Sequence, residues 1–266
     1  MADAPPRIFD AKALALHRAR AVAINGDNFL AREAAEGLAE RLSAVQRPLG
    51  ERLDIDAALG TDEHLDVADG VGFELAASIL KLHTVNDLPG VLVQVRRALK
   101  PDGLFMAALF GGETLTELRQ SLAAAEIEVT GGVSPRVAPF ADVRDLGGLL
   151  QRAGFALPVA DVERTVVRYS DFFALVRDLR VMGETNALVE RSRRPMRREM
   201  LAAAMAHYAA HFADADGKLR ATFDIVYLTG WAPHESQQQP LKPGSATARL
   251  ADALGTAEKG AGEKPP

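Results

Sequence analysis

Two nearly unbroken apolar runs, Phe73–Leu82 (FELAASILKL) and Leu104–Phe110 (LFMAALF), constrain this chain more than any other feature. Each has the length of a strand. Neither alternates strictly between apolar and polar residues, as a strand with one wet face does. Between them, Leu88–Leu99 reads as a helix, with Pro89 in its first turn and Leu92, Val95 and Leu99 on one face. Lys100-Pro101-Asp102-Gly103 reads as a sharp turn, with Gly103 expected to take the positive φ. Gly111-Gly112 ends the second run, and Thr114–Glu128 is again helical. Strands buried on both faces and alternating with helices imply an α/β fold with a parallel sheet and right-handed crossovers.

The flanking regions extend that reading. Ala11–Leu42 is helical with a break at Asn25-Gly26-Asp27, and Leu30, Ala34, Leu38 and Leu42 recur on one face. Arg47-Pro48-Leu49-Gly50 stops it, and Leu53–Leu59 reads as a short strand. A polar turn, Asp69-Gly70-Val71-Gly72, precedes the first apolar run. Further on come a helix at Asp142–Ala153 closed by Gly154, a strand at Val159–Tyr169 and helices at Asp171–Met182 and Pro195–Phe212. Ala221–Trp231 suits a last strand. The predicted organisation is an N-terminal helical segment (1–48), an α/β domain (49–250) and a disordered tail (251–266).

Composition narrows the function classes. A formal charge of −5 argues against non-specific binding to nucleic acid, which needs a basic surface. The chain has no cysteine, so disulfides, thiolate catalysis and thiolate metal sites are excluded. A reducing compartment fits: the cytoplasm, or the mitochondrial matrix if the source is eukaryotic. No apolar run approaches the roughly 20 residues of a membrane span. Arg7, Lys12, Arg18 and Arg20 read as the basic face of a helix rather than as a transit peptide.

Several longer blocks carry a family resemblance. They are Leu82-His83 with Val85-Asn86-Asp87-Leu88-Pro89, LKPDG at 99–103, and FGGETLTELR at 110–119. After these come GGVSPRVAPFADVRDLGGLLQRAGF at 131–155, MGETNA at 182–187, and TGWAPHESQ at 229–237. Over roughly residues 7 to 250 the sequence resembles the complex I assembly factor 5 family. That family is a branch of the class I S-adenosylmethionine-dependent methyltransferases, near the malonyl-carrier-protein methyltransferases. The resemblance implies a Rossmann-like fold, S-adenosylmethionine as the family's cofactor, and chemistry of methyl transfer or arginine modification.

Such a fold holds its cofactor on a glycine-rich turn after the first strand and on an acidic residue ending the second. Here Leu49 leads instead into GERLDIDAALGTDEHLDVADG, and Ala58–Gly70 matches a segment that belongs later in the family. A βα unit takes about 30 residues or more, so none fits between Leu49 and Ala58. The expectation is a Rossmann-like sheet shortened by loss of the first βα units, with added C-terminal helices. Residual cofactor contacts would fall to Glu74 and His83. Lys81, where the family carries serine, would repel a sulfonium.

The remaining candidates form a substrate or partner surface, and no metal site is expected. Gly111 and Gly112 could turn amides toward a ligand, and Glu113 could hold a cation. The alternative is a plain strand-to-helix turn. Arg191, Arg193, Arg194, Arg197 and Arg198 form a dense basic cluster at a helix start, where the helix dipole disfavours positive charge. Trp231, His234, Glu235 and Ser236 follow the last strand, with Trp231 expected in the core. His83 could be a general base or a histidine satisfied by a carbonyl, and Asn86 and Asp87 read as a helix cap. The reading that results is a family member degenerate in cofactor binding that acts as a binding or assembly factor. Its partner would be a respiratory-complex subunit or an intact paralogue, with a homo-oligomer expected if the shortened sheet leaves an open edge. The alternative is an active methyltransferase with a rebuilt or partner-completed pocket.

Overall fold

The computed structural model describes residues 7–67, 72–238 and 255–256. The expected turn at 69–71 and almost all of the tail at 251–266 lie outside the described residues. The chain divides into two compact units, Met1–Pro233 and His234–Pro266. In the second, His234 Nδ1 accepts from the Ser236 hydroxyl at 2.7 Å, and the His234 amide donates to Gln237.

The first unit opens with α1 (Ala11–Ile24), capped by the Asp10 carboxylate on the amides of Lys12 and Ala13. Asn25 ends it in a left-handed conformation, the expected break. In α2 (Phe29–Ser43), Asn28 caps the start, and Leu30, Ala34 and Leu38 are buried on one face, as their spacing predicts. Next come β1 (Arg52–Asp54) and α3 (Ile55–Ala58). The strand expected over Leu53–Leu59 is therefore mostly a helical turn, because Asp54 caps Ala57 and starts a helix. The rest follows as β2 (Phe73–Ile79), α4 (Leu88–Ala98), β3 (Leu99–Gly111), α5 (Thr116–Thr130), α6 (Val143–Arg152), β4 (Ala156–Tyr169), α7 (Phe172–Met182), α8 (Arg198–Phe212) and β5 (Leu219–Trp231).

One mixed sheet results, in the order β1-β2-β3-β5-β4. The strands β1, β2 and β3 are parallel, while β5 runs antiparallel to both β3 and β4. The fold is α/β with five strands among the described residues. Side chains of β3 alternate between two cores. Leu104, Met106, Ala108 and Phe110 pack in a cluster with residues of α2, α5, α7 and α8, while Phe105, Ala107 and Leu109 pack in one with residues of α4 and α6. Burial on both faces accounts for the unbroken apolar runs.

The Lys100–Gly103 segment corrects a detail. It lies within β3 as a register shift, with Phe73 opposite Leu99 and Leu75 opposite Leu104. The positive φ of 63° falls on Asp102 rather than on Gly103. Gly103 is required for space instead, since a Cβ there would lie 2.9 Å from the carbonyl oxygens of Phe73 and Lys100.

On one face of the sheet, α2 lies against β2 and β3. It is fastened to the far edge by Arg41, which pairs with Asp161 and Glu163 of β4 and stacks over Tyr227. The β1 edge is only three residues long, a short edge of the kind that resists pairing with another chain.

Candidate functional site

Ligands of open α/β sheets sit beyond the carboxyl ends of the parallel strands. Here β2 ends at Ile79 and is followed by a 3-10 turn, Leu82–Thr84, which carries His83. The His83 side chain is only 3% exposed, and its Nε2 lies 3.1 Å from Glu184 Oε2. Phe110, near the end of β3, meets the His83 ring edge-on at 5.0 Å, and Phe140 lies 6.0 Å away. His83 Nδ1 is buried with no hydrogen-bond partner. The carbonyl that a satisfied structural histidine would find is thus absent among the described residues. A cavity of about 150 Å³ opens here, bounded by His83, Phe110, Arg136, Phe140, Glu184 and Asn186.

Paired charges hold the walls of this cavity. Glu126 of α5 accepts from Arg136 Nε and Nη2 at 3.0 and 2.7 Å, and from the amide and hydroxyl of Ser134. The Arg136 guanidinium and these donors hold the Glu126 carboxyl down at about 2. The Ser134–Phe140 loop is fixed by that pair. Asp224 of β5 is buried, which works against its charge. The Arg164 fork at 2.7 and 2.9 Å and the Glu113 amide nonetheless keep its pKa below the ordinary value.

The Gly111–Glu113 turn is therefore committed internally. The Gly112 amide donates to Ala141 O, and Glu113 N to Asp224, so these amides do not face a ligand as one sequence reading allowed. The Glu113 side chain is exposed.

The other candidates divide. Glu74 stands near the start of β2, at the opposite end of the strand from His83, where it accepts from Gly50 N and Lys100 Nζ. It does not line the cavity at His83. Asp87 caps α4 through Gly90 N as expected, but Asn86 does something else. Its Oδ1 takes the amides of Ile8 and Phe9 and tethers the chain entering α1, and Phe9 and Leu14 wall the cavity.

Arg191 and Arg193 pair with Asp10 at 3.0 and 3.5 Å, which commits them to holding α1. Arg194, Arg197 and Arg198 remain exposed, and α8 begins at Arg198 rather than Pro195. Trp231 is half-buried at the end of β5, packed against the core cluster, with the Arg47 guanidinium 5.1 Å over its ring. His234 and Glu235 belong to the second unit.

At the carboxyl end of β1 there is no glycine among residues 52–58. Asp54 ends β1 and leads directly into α3. The Asp56 carboxylate accepts from Ser78 Oγ at 2.6 Å and Ile79 N at 2.8 Å, and burial raises its pKa. Lys81 Nζ donates to Asp56 O.

Sequence comparison places the chain. It is 42% identical over 199 residues to the mitochondrial arginine-hydroxylase NDUFAF5 of Dictyostelium discoideum, covering 75% of this chain and 46% of that protein. The human NDUFAF5 is 47% identical over 191 residues, covering 72% of this chain and 55% of that one. The chain is a homologue of the NDUFAF5 proteins.

More distant is the malonyl-[acyl-carrier protein] O-methyltransferase of Xylella fastidiosa, 38% identical over 65% of this chain and 56% of that enzyme. The chain spans about half the length of the curated relatives it matches. No family model matches it. Among solved structures, the YcgJ protein of Bacillus subtilis aligns with 66% of this chain and 70% of its own at 13% identity and a TM-score of 0.41.

Glu63, Arg136 and Glu184 were missed as site residues by sequence reasoning. Glu63 takes the amides of Asn86 and Asp87 and the Asn86 side-chain amide. Glu184 and Arg136 lie inside family-like blocks, which was the available signal.

Proposed function

We propose that this NDUFAF5 homologue is a binding protein that captures an arginine-bearing segment of a partner protein and has given up ordinary S-adenosylmethionine binding. One observation carries the reading. Chain segments around residues 83, 110, 136 and 184, far apart in sequence, converge on one aromatic-walled cavity with a carboxylate, while β1 runs into α3 with no glycine among residues 52–58. Glu184 Oε2 faces His83, and Oε1 has no partner among the described residues. A guanidinium suits that acceptor and can stack on the Phe110 and Phe140 rings. The relatives' name, arginine-hydroxylase, agrees with that side-chain class. The partner would be a respiratory-complex subunit or an intact paralogue that supplies the missing cofactor half.

The test is a thermal-shift and calorimetric titration with an arginine peptide, its lysine counterpart and S-adenosylmethionine. The arginine peptide is expected to bind best, and Glu184→Gln to weaken it. Unchanged affinity in Glu184→Gln would overturn the pocket assignment. S-adenosylmethionine at millimolar concentration is expected to give no shift. Stabilisation near the ~2.7 kcal/mol of a ligand at 100 times its Kd would overturn the cofactor part.

The unpartnered His83 Nδ1 favours a second reading, an enzyme whose pocket a partner completes. In that case His83 would accept a proton from the bound group, and methyl transfer or arginine modification would emerge only with the partner present.

A further inference from the structure

The segment that leaves the cavity at His83 runs straight into the most basic stretch of the chain. Asn186 and Ala187 wall the cavity, and residues 190–199 (ERSRRPMRRE) carry five arginines against two glutamates. This stretch is fastened to the cavity rim. Phe9, another wall residue, bridges to Leu188, and the Asp10 amide donates to the Ala187 carbonyl at 2.8 Å. The Asp10 carboxylate then takes Arg191 at 3.0 Å and Arg193 at 3.5 Å. The cluster therefore starts one residue from the cavity wall.

Only part of it is neutralised there. The Arg191 side chain is 16% exposed and committed to Asp10, whereas that of Arg193 is 68% exposed. Arg194, Arg197 and Arg198 are exposed and make no ion pair among the described residues. Glu190 and Glu199 are exposed as well, and neither pairs with an arginine of the cluster among the described residues. Guanidinium groups gathered without carboxylates repel one another. Carboxylates from a partner relieve that cost and accept charge-assisted, two-pronged hydrogen bonds.

We propose that this cluster docks an acidic stretch flanking the arginine of the segment that enters the cavity. The flanking position rests on the arginine reading of the cavity. Two opposite charges then read the partner: Glu184 selects a cation inside, and Arg194, Arg197 and Arg198 select anions at the rim. A uniformly basic segment would satisfy Glu184 but be repelled at the rim, so the two together reject sequences that a lone carboxylate would accept. Eight positions separate Asn186 from Arg194, a span of roughly 28 Å at most for extended chain, so the acids fall within about eight positions of the arginine. A polypeptide fits better than a nucleic acid or an anionic membrane. The chain carries −5 overall, so a long polyanion or a broad anionic surface meets mostly like charge beyond the patch. A short acidic stretch meets only the arginines.

The test measures fluorescence anisotropy of labelled peptides of equal length with the full chain. One peptide carries a single arginine in a glycine-serine background. Two others add three glutamates before or after that arginine, and a last one keeps the glutamates without the arginine. At low salt, one of the two flanked peptides is expected to bind about tenfold more tightly than the neutral arginine peptide, as three exposed pairs allow. Salt at about 0.5 M is expected to remove that gain, and so is the triple change Arg194→Gln, Arg197→Gln and Arg198→Gln. Glu184→Gln is expected to weaken neutral and flanked peptides by the same factor, so the ratio reports the cluster and the absolute affinity reports the cavity. Circular dichroism checks that each variant is folded. Equal affinity for neutral and flanked peptides, a gain that survives the triple change, or no binding of any peptide would each overturn the proposal. If the arginine adds nothing while the glutamate peptide binds and is lost in the triple variant, the cavity reading fails and the acidic docking surface stands. A single-stranded DNA oligonucleotide bound as tightly as the flanked peptide would overturn the choice of a polypeptide.

Discussion

The two sides of the ligand-facing rim are built on opposite electrostatic plans. Around β3 and β5, Glu126 and Asp224 are paired with arginine forks and held below ordinary carboxylate values. Glu117 likewise takes the amide and hydroxyl of Thr222. At the ends of β1 and β2, Asp56 is half-buried against one hydroxyl and one amide, and burial pushes its pKa up. Paired carboxylates favour the charged, ordered form and fix the loops that wall the cavity. An acid whose charge burial penalises contributes little to holding a ligand site together. The contrast sets charge-stabilised, paired carboxylates on one side of the rim against a burial-penalised acid on the other.

The largest expected effect tests the paired side. Glu126→Gln leaves Arg136, whose side chain is only 17% exposed, without its carboxylate. Loss of a buried partner costs about 3 kcal/mol or more, read by denaturant unfolding. The same pair sets an acid limb. The Glu126 pKa is about 2 when folded against an ordinary 4.5, so its contribution is complete above pH 4.5 and is lost as pH falls toward about 2. That contribution is at most about 3 kcal/mol. The wild type should lose stability over this window and Glu126→Gln should not. Parallel curves for the two proteins would break the contrast.

A smaller effect is expected at the helix that covers the sheet face. Gly37 sits in the middle of α2 over the Tyr227 ring, and an added Cβ would lie 2.6 Å from Tyr227 Cζ. Gly37→Ala should therefore destabilise by about 1–3 kcal/mol through overpacking, although alanine is the better helix former. An increase in Tm would show that α2 is not seated on the sheet as described.

The smallest effect belongs to the ends of β1 and β2. The folded-state pKa of Asp56 is raised, so its ionisation costs stability as pH rises from 3.8 through the raised value. Asp56→Asn keeps an oxygen for the Ile79 amide and removes that cost. Its Tm at pH 7 should equal or exceed that of the wild type, whereas a loss matching that of Glu126→Gln would put the two sides on one plan.

Much of the fold was legible from consecutive residues. The apolar runs at 73–82 and 104–110 and the period of Leu30, Ala34 and Leu38 specify strands and a helix, because burial on two faces or on one stripe leaves a pattern along the chain. The caps at Asp10, Asp54, Asp87 and Asp171 act within three residues of themselves, although the strand expected beyond Leu53 overlooked the second.

The site was decided through space. His83 meets Glu184 across 101 positions, Arg164 meets Asp224 across 60, and Asn86 reaches back to Phe9 across 77. No local periodicity encodes such partners. Trp231 packs against the core and also carries Arg47 over its ring, and Gly103 looked like a turn residue and became a point of close backbone approach. Propensity and period are properties of neighbours along the chain. Which carboxylate meets which base, and which glycine has no room for a side chain, depends on how the topology brings distant segments together.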